Sequence, residues 1–260
     1  MSVIRTDKWL LNSYDKPIEL CEKVKEFFGN ARASEIHPYL IRHGMYRRPF
    51  KNGKELVRKL KENRVWEIVQ KEEQQLKKIW EGPNIPIFIF PSDNNRELIQ
   101  NFNGKSGLAF KDKLFLFISE DNTEKEIRAV FTHEYNHVCR LSQLQKNEKD
   151  YVLLDTIILE GLAENAVRER FGEEFVGKWT SYYSNEELER IWKKLLLPNK
   201  NIRRLDRKHQ QILYGARSYP KMAGYCVGYY LVKKYMKANS LTCKDLLNYK
   251  SDDIAQIKDN

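Results

Sequence analysis

The sequence of 260 residues predicts an α+β, mostly helical fold with one small sheet. Three observations carry this expectation. Apolar residues recur at helical spacing over most of the chain, one region in the middle switches to short β-branched and aromatic runs, and glycines or prolines stand at the junctions. With 41% hydrophobic and 32% charged residues, the composition is that of a packed globular chain rather than a disordered one.

The elements follow in order. Pro17 opens an amphipathic segment with Ile18, Cys21, Val24 and Phe28 on one face, and Gly29 stops it. One longer helix is expected from about Gly53 to Trp80, carrying Val57, Leu60, Val65, Ile68, Leu76 and Ile79, with Gly82-Pro83 closing it. Ile85 to Pro91 reads as a strand, and its prolines place it at a sheet edge or themselves at strand ends. Gly107–Phe110 and Leu114–Ile118 read as a hairpin across Lys111-Asp112-Lys113. Thr123 with Glu126 forms a capping box opening a helix to about Arg140. A polar loop from Gln143 to Asp150 leads to a helix from Val152 to Phe171 that ends at Gly172. Ser184 with Glu187 caps a helix to about Leu197, and the last strong helix follows Pro220 to about Lys237.

Several function classes are disfavoured. No apolar run reaches the length of a membrane span, and the N-terminus lacks the apolar stretch of a signal peptide, so the cytoplasm is the expected location with no transmembrane segment. Cys21, Cys139, Cys226 and Cys243 are too scattered for a zinc knuckle or a disulfide scaffold, and at least three of them read as core residues in a reducing compartment. The net charge of +10 is densest from Lys200 to Lys208, around Arg203, Arg204 and Arg207. No aromatics interleave there to stack on bases, so this reads as a solvated surface with no specific nucleic-acid partner.

The chemistry concentrates in His133-Glu134-Tyr135-Asn136-His137. Residues four apart share a helix face, so two imidazoles can converge on one metal ion, Zn2+ being the natural choice, while Glu134 stands where it can take a proton from a metal-activated water. In the following helix Leu153, Ile157, Glu160, Glu164, Val167 and Phe171 define a buried seam containing two carboxylates. Buried carboxylates need a cation or donors. Folding this helix back through the 143–150 loop brings the seam against the histidines, where a zinc held by His133, His137 and a glutamate satisfies all of these groups.

The runs HEYNHVCRL and ILEGLAE, together with Ile85-Pro86-Ile87 and Gly224-Tyr225-Cys226-Val227-Gly228-Tyr229, resemble the YjaZ-like family of predicted bacterial zinc proteases, within the gluzincin clan. The resemblance spans roughly residues 83–235. It implies a zincin-like metallopeptidase fold over 83–260 preceded by an N-terminal helical region, 1–82, with Glu160 as the third zinc ligand. It also implies that Glu164 hydrogen-bonds His133, and that a peptide or protein substrate lies along the edge strand at Gly107–Phe110. The donor that stabilises the oxyanion stays open among Tyr219, Tyr225, His209 and Arg217, and close packing is the favoured reading of Gly224 and Gly228. The expected activity is hydrolysis of peptide bonds by metal-activated water with Glu134 as general base. The alternatives are a zinc hydrolase of a non-peptide amide and a basic binding module with a structural metal.

Overall fold

The computed structural model describes residues 2–93, 106–144 and 146–257, and Gln145 of the expected polar loop lies outside them. The fold is α+β and mostly helical with a small mixed sheet, as the sequence predicts. Two compact units divide at residues 138 and 139, within a single helix.

The first unit begins with helices α1 (Thr6–Ser13), α2 (Pro17–Glu22), α3 (Ala33–Arg42), α4 (Gly53–Glu62) and α5 (Val65–Trp80). The single helix expected from Gly53 to Trp80 is therefore two. The break comes at Arg64, which takes a left-handed φ of 55°. That conformation costs a non-glycine residue about 1–2 kcal/mol. The turn lets Val57 and Leu60 of α4 and Val65, Trp66 and Val69 of α5 all reach the interior, and their burial outweighs the strain.

Strands β1 (Ile87–Pro91), β2 (Ser106–Ala109) and β3 (Leu114–Ile118) pair in the order β1-β3-β2. The hairpin between β2 and β3 is antiparallel, from Ser106 opposite Phe117 to Ala109 opposite Leu114. β1 runs parallel to β3, from Ile87 opposite Leu114 to Pro91 opposite Ile118. Every residue of β1 and β3 is buried, which explains why neither alternates polar with apolar. Residues 2–4 lie along the outer side of β1 at its start: Ile87 N donates to Ser2 O and Ile4 N donates to Ile87 O, both at 2.9 Å, while Tyr46 N donates to Pro91 O at its end.

Helix α6 (Glu124–Gln143) leaves the sheet region and runs into the second unit. There follow α7 (Leu153–Phe171), α8 (Asn185–Ile191), α9 (Arg207–Tyr214), α10 (Ala223–Asn239) and α11 (Ser251–Ile254). The Ser184–Glu187 capping box is present, but α8 stops at Ile191 and the chain continues as a π turn over Trp192–Leu196 and a 3-10 turn over Leu197–Asn199. Helix α7 is buried almost all round from Leu153 to Val167, not along one seam, because α10 crosses it closely. The crossing is built on glycines: a Cβ on Gly161 would lie 2.2 Å from Gly228 O, and one on Gly228 would lie 2.1 Å from Ile157 O. Buried Asn165 bridges the two helices, its Nδ2 donating to Gly161 O at 2.8 Å and Tyr229 O at 3.0 Å.

The end of α6 is tied to the C-terminal segment by Arg140, only 1% exposed. Its Nη1 donates to Leu246 O (2.9 Å) and Leu247 O (3.5 Å), and its Nη2 to Tyr249 O (3.1 Å) and Ser251 Oγ (3.4 Å). All four cysteines are free and buried.

Candidate metal centre

The histidine pair belongs to α6, whose N-terminus is fixed by the expected capping box. Thr123 N donates to Glu126 Oε2 at 2.9 Å, and Glu126 N donates to Thr123 Oγ1 at 3.3 Å. From Ala129 to Leu141 the helix is buried all round, with His133 alone half-buried. Side chains around the motif hold it in register. Arg128 Nε donates to the buried Glu72 carboxylate at 2.7 Å, while Tyr135 donates its hydroxyl to Pro83 O at 2.9 Å and stacks on Phe131 and Trp80. Helical spacing then brings the rings of His133 and His137 to 4.7 Å between centroids, nearly perpendicular at 88°. Glu134, 8% exposed, lies under strand β2: a Cβ built on Gly107 would fall 2.3 Å from Glu134 Cγ.

Glu160 stands on α7 beside Gly161, so the glycine crossing with α10 fixes its place in the second unit. One turn later Glu164, 6% exposed, accepts a hydrogen bond from the Gly177 backbone N–H. That donor meets part of the need of its buried carboxylate. Ligand atoms of His133, His137 and Glu160 all lie within 4.8 Å of one another, so this group could hold a metal ion. Two imidazole nitrogens and one carboxylate oxygen are the donor set of a catalytic zinc site that keeps a position open, and they fit that ion. His133 and Glu160 are half-buried, as a site that must admit a ligand requires.

The candidates for an oxyanion donor separate. His209 is fully buried on α9, with Nε2 3.1 Å from Thr156 Oγ1, and is closed to solvent. Arg217 is exposed and takes a left-handed φ of 63° in the turn after α9, and Tyr219 is half-buried in the same turn. Tyr225, on α10, packs edge-on to Trp179 and donates its hydroxyl to that of Tyr214 at 3.3 Å. Tyr214 is the residue that sequence reasoning missed. It is an exposed ring, with its centroid 5.4 Å from that of Tyr225. The signal available was Gly215, whose left-handed conformation ends α9; the basic run before it disguised the helix. Packing through Gly224 and Gly228 is observed: a Cβ on Gly224 would meet Leu213 of α9 at 2.6 Å.

Comparison with known proteins places this geometry in context. Residues 65–256 match the family model described as Predicted Zn-dependent protease (DUF2268). The chain belongs to this family. Uncharacterized protein YjaZ of Bacillus subtilis (strain 168) is 44% identical over 254 residues, covering 95% of this chain and 96% of that protein. A second protein of the same organism, uncharacterized protein YjfC, is 23% identical over 220 residues, covering 76% and 71% respectively. No solved structure matches. The family is thus described as zinc-dependent, while the two relatives are themselves uncharacterized. Among the described residues no helix is long and apolar enough to cross a membrane.

Proposed function

We propose that this protein is a zinc-dependent metallopeptidase whose ion is held by His133, His137 and Glu160. The observation that carries the proposal is the gathering of these three ligand atoms within 4.8 Å, next to a carboxylate, Glu134, that is not among them. Zinc, when bound, supplies a Lewis acid that lowers the pKa of water and polarises a carbonyl. The remaining work falls to the chain. Glu134 accepts the proton of the attacking water and passes it to the departing amine. Glu164 supports His133, holding its ring and tautomer for metal binding. A peptide substrate lies along the side of β2 that faces away from β3, where main-chain groups align it beside Glu134. The Tyr225–Tyr214 pair is the favoured source of the oxyanion donor, since His209 is sealed away. In this reading residues 83–260 form the catalytic region with a zincin-like arrangement, and 1–82 an N-terminal helical region. Four free, buried thiols suit a reducing compartment, the cytoplasm.

Elemental analysis of purified protein, paired with a peptide-library cleavage assay, tests the proposal. About one zinc per chain is expected. Glu134→Gln should keep the zinc and lose cleavage; a variant cleaving at the wild-type rate would remove Glu134 from the mechanism. Glu160→Ala should release most of the zinc, whereas Glu164→Ala should retain it with affinity or activity about 10–100-fold weaker. The reverse order would make Glu164 the ligand.

A further inference from the structure

Glycine at position 107 is unexplained by strand chemistry, which favours β-branched and aromatic residues. Its partners in the sheet are ordinary: Gly107 lies opposite Leu116 in the antiparallel ladder. Nor does its backbone require glycine, since it is not among the glycines in the left-handed region. What excludes a side chain is space. A Cβ at this position would fall 2.3 Å from Glu134 Cγ, 2.5 Å from Cδ and 2.7 Å from Oε1, where ordinary contact is 3.4–4 Å. Each of the three nearest atoms belongs to the same carboxylate side chain.

We infer that Gly107 is a positioning residue: its bare Cα forms the ceiling under which the Glu134 carboxylate is held in its working place. The two partners of this contact differ in how readily they yield. Strand β2 is pinned by its ladder to β3, by Ser106 Oγ donating to His43 O at 2.9 Å, and by Phe110 N donating to Lys113 O at 3.0 Å across the turn. Behind Ser106 there is no slack, because a Cβ on Gly44 would already lie 1.9 Å from Ser106 Oγ. Glu134 Cγ, Cδ and Oε1, by contrast, are the outer atoms of a side chain that moves by rotamer change. A methyl group at 107 therefore displaces the carboxylate rather than the strand, by an ångström or more if the closest contact is to relax to 3.4 Å. The carboxylate is not among the three gathered ligand atoms, so the substitution shifts Glu134 without replacing a member of that group. An alanine on a strand without a left-handed φ also carries no backbone penalty and restricts the unfolded chain slightly.

The catalytic consequence rests on the general-base reading of Glu134, and the experiment keeps the two apart. Crystal structures of the wild type and of Gly107→Ala should show the Glu134 carboxylate moved to a new rotamer with β2 in place. An unmoved Glu134, with β2 shifted instead, overturns the inference whatever the activity. On the library peptides that the wild type cleaves, Gly107→Ala should lower kcat by about 10²-fold with KM little changed, the loss expected for a misplacement of about 1 Å. Zinc content and melting temperature should stay at wild-type values, and Gly107→Ala should add no further loss in a Glu134→Gln background. If Glu134→Gln is inactive but Gly107→Ala cleaves like the wild type, the positioning role fails and the general base stands. If Glu134→Gln cleaves normally, the general-base reading fails, and the crystal structures alone decide what Gly107 does.

Discussion

Gly161→Ala offers a quantitative test of the crossing between α7 and α10, because two effects of opposite sign compete at that one atom. In an exposed helix interior, replacing glycine by alanine gains about 1 kcal/mol of propensity. Here the added methyl meets Gly228 O at 2.2 Å, Gly228 C at 2.3 Å and Tyr229 N at 2.9 Å, all backbone, so no rotamer change relieves it. The helices must part by about an ångström, and overpacking of this kind costs about 1–3 kcal/mol. Asn165 then loses one of its two bridging bonds, to Gly161 O or Tyr229 O, in a fully buried place, adding about 1–2 kcal/mol. The net expectation is a destabilisation of about 2–3 kcal/mol, or roughly 5–10 °C in melting temperature for a chain of this length. Because Glu160 is the preceding residue, the displacement should also weaken zinc binding. Scanning calorimetry of metal-free protein gives the first quantity, and competition with a zinc chelator the second. A variant about 1 kcal/mol more stable than the wild type would mean that propensity governs and that the helices are not in contact through this glycine.

Arg140→Met should destabilise the protein by about 3–5 kcal/mol, since it strips buried donors from a cluster of main-chain carbonyls, and Arg140→Lys should rescue little because an ammonium lacks the fork that spans them; denaturant unfolding within 1 kcal/mol of wild type would refute the clamp. His37 and His209 both have their pKa lowered, each chiefly by burial. The unfolded chain therefore takes up protons that the native state refuses, so stability should fall as pH drops from about 7.5 to about 5.5, as measured by urea midpoints, and a flat profile would contradict the burial of both rings. Burial pushes the thiols of Cys21, Cys139 and Cys226 up to about 12, and Cys243 well above its ordinary value. An exposed-thiol reagent at neutral pH should accordingly label none of them until the protein is unfolded, and labelling of the native state at the rate of a free thiol would refute that environment.

The parts of the molecule that were legible beforehand are those written in local chemistry. Thr123–Glu126 and Ser184–Glu187 are reciprocal caps, and both close as read because each involves residues only three apart. The β2–β3 hairpin and the spacing of His133 and His137 are equally local. What escaped depends on contacts distant in sequence. The break at Arg64 is invisible in a run with no glycine or proline, and is made by burial of Val57 and Trp66. Helix α3 carries Pro38 in its interior, which argues against a helix in any local reading. The regular seam of α7 suggested one buried face, whereas α10 and its glycines bury the others. Tyr214 was overlooked since nothing near it in sequence points to its partner Tyr225 on the next helix.

The coverage of β1 by residues 2–4 bears on how the protein should be handled and trimmed. An uncovered strand edge of Ile, Phe, Ile and Phe is a template on which a second molecule can add. Residues 2–4 act as a built-in guard rail, with Thr6 Oγ1 donating to Ile89 O and accepting from Trp66 Nε1 just behind it. A chain clipped before Thr6 by a protease would lose the rail while leaving every proposed ligand untouched. It should therefore fail by precipitation rather than by loss of chemistry.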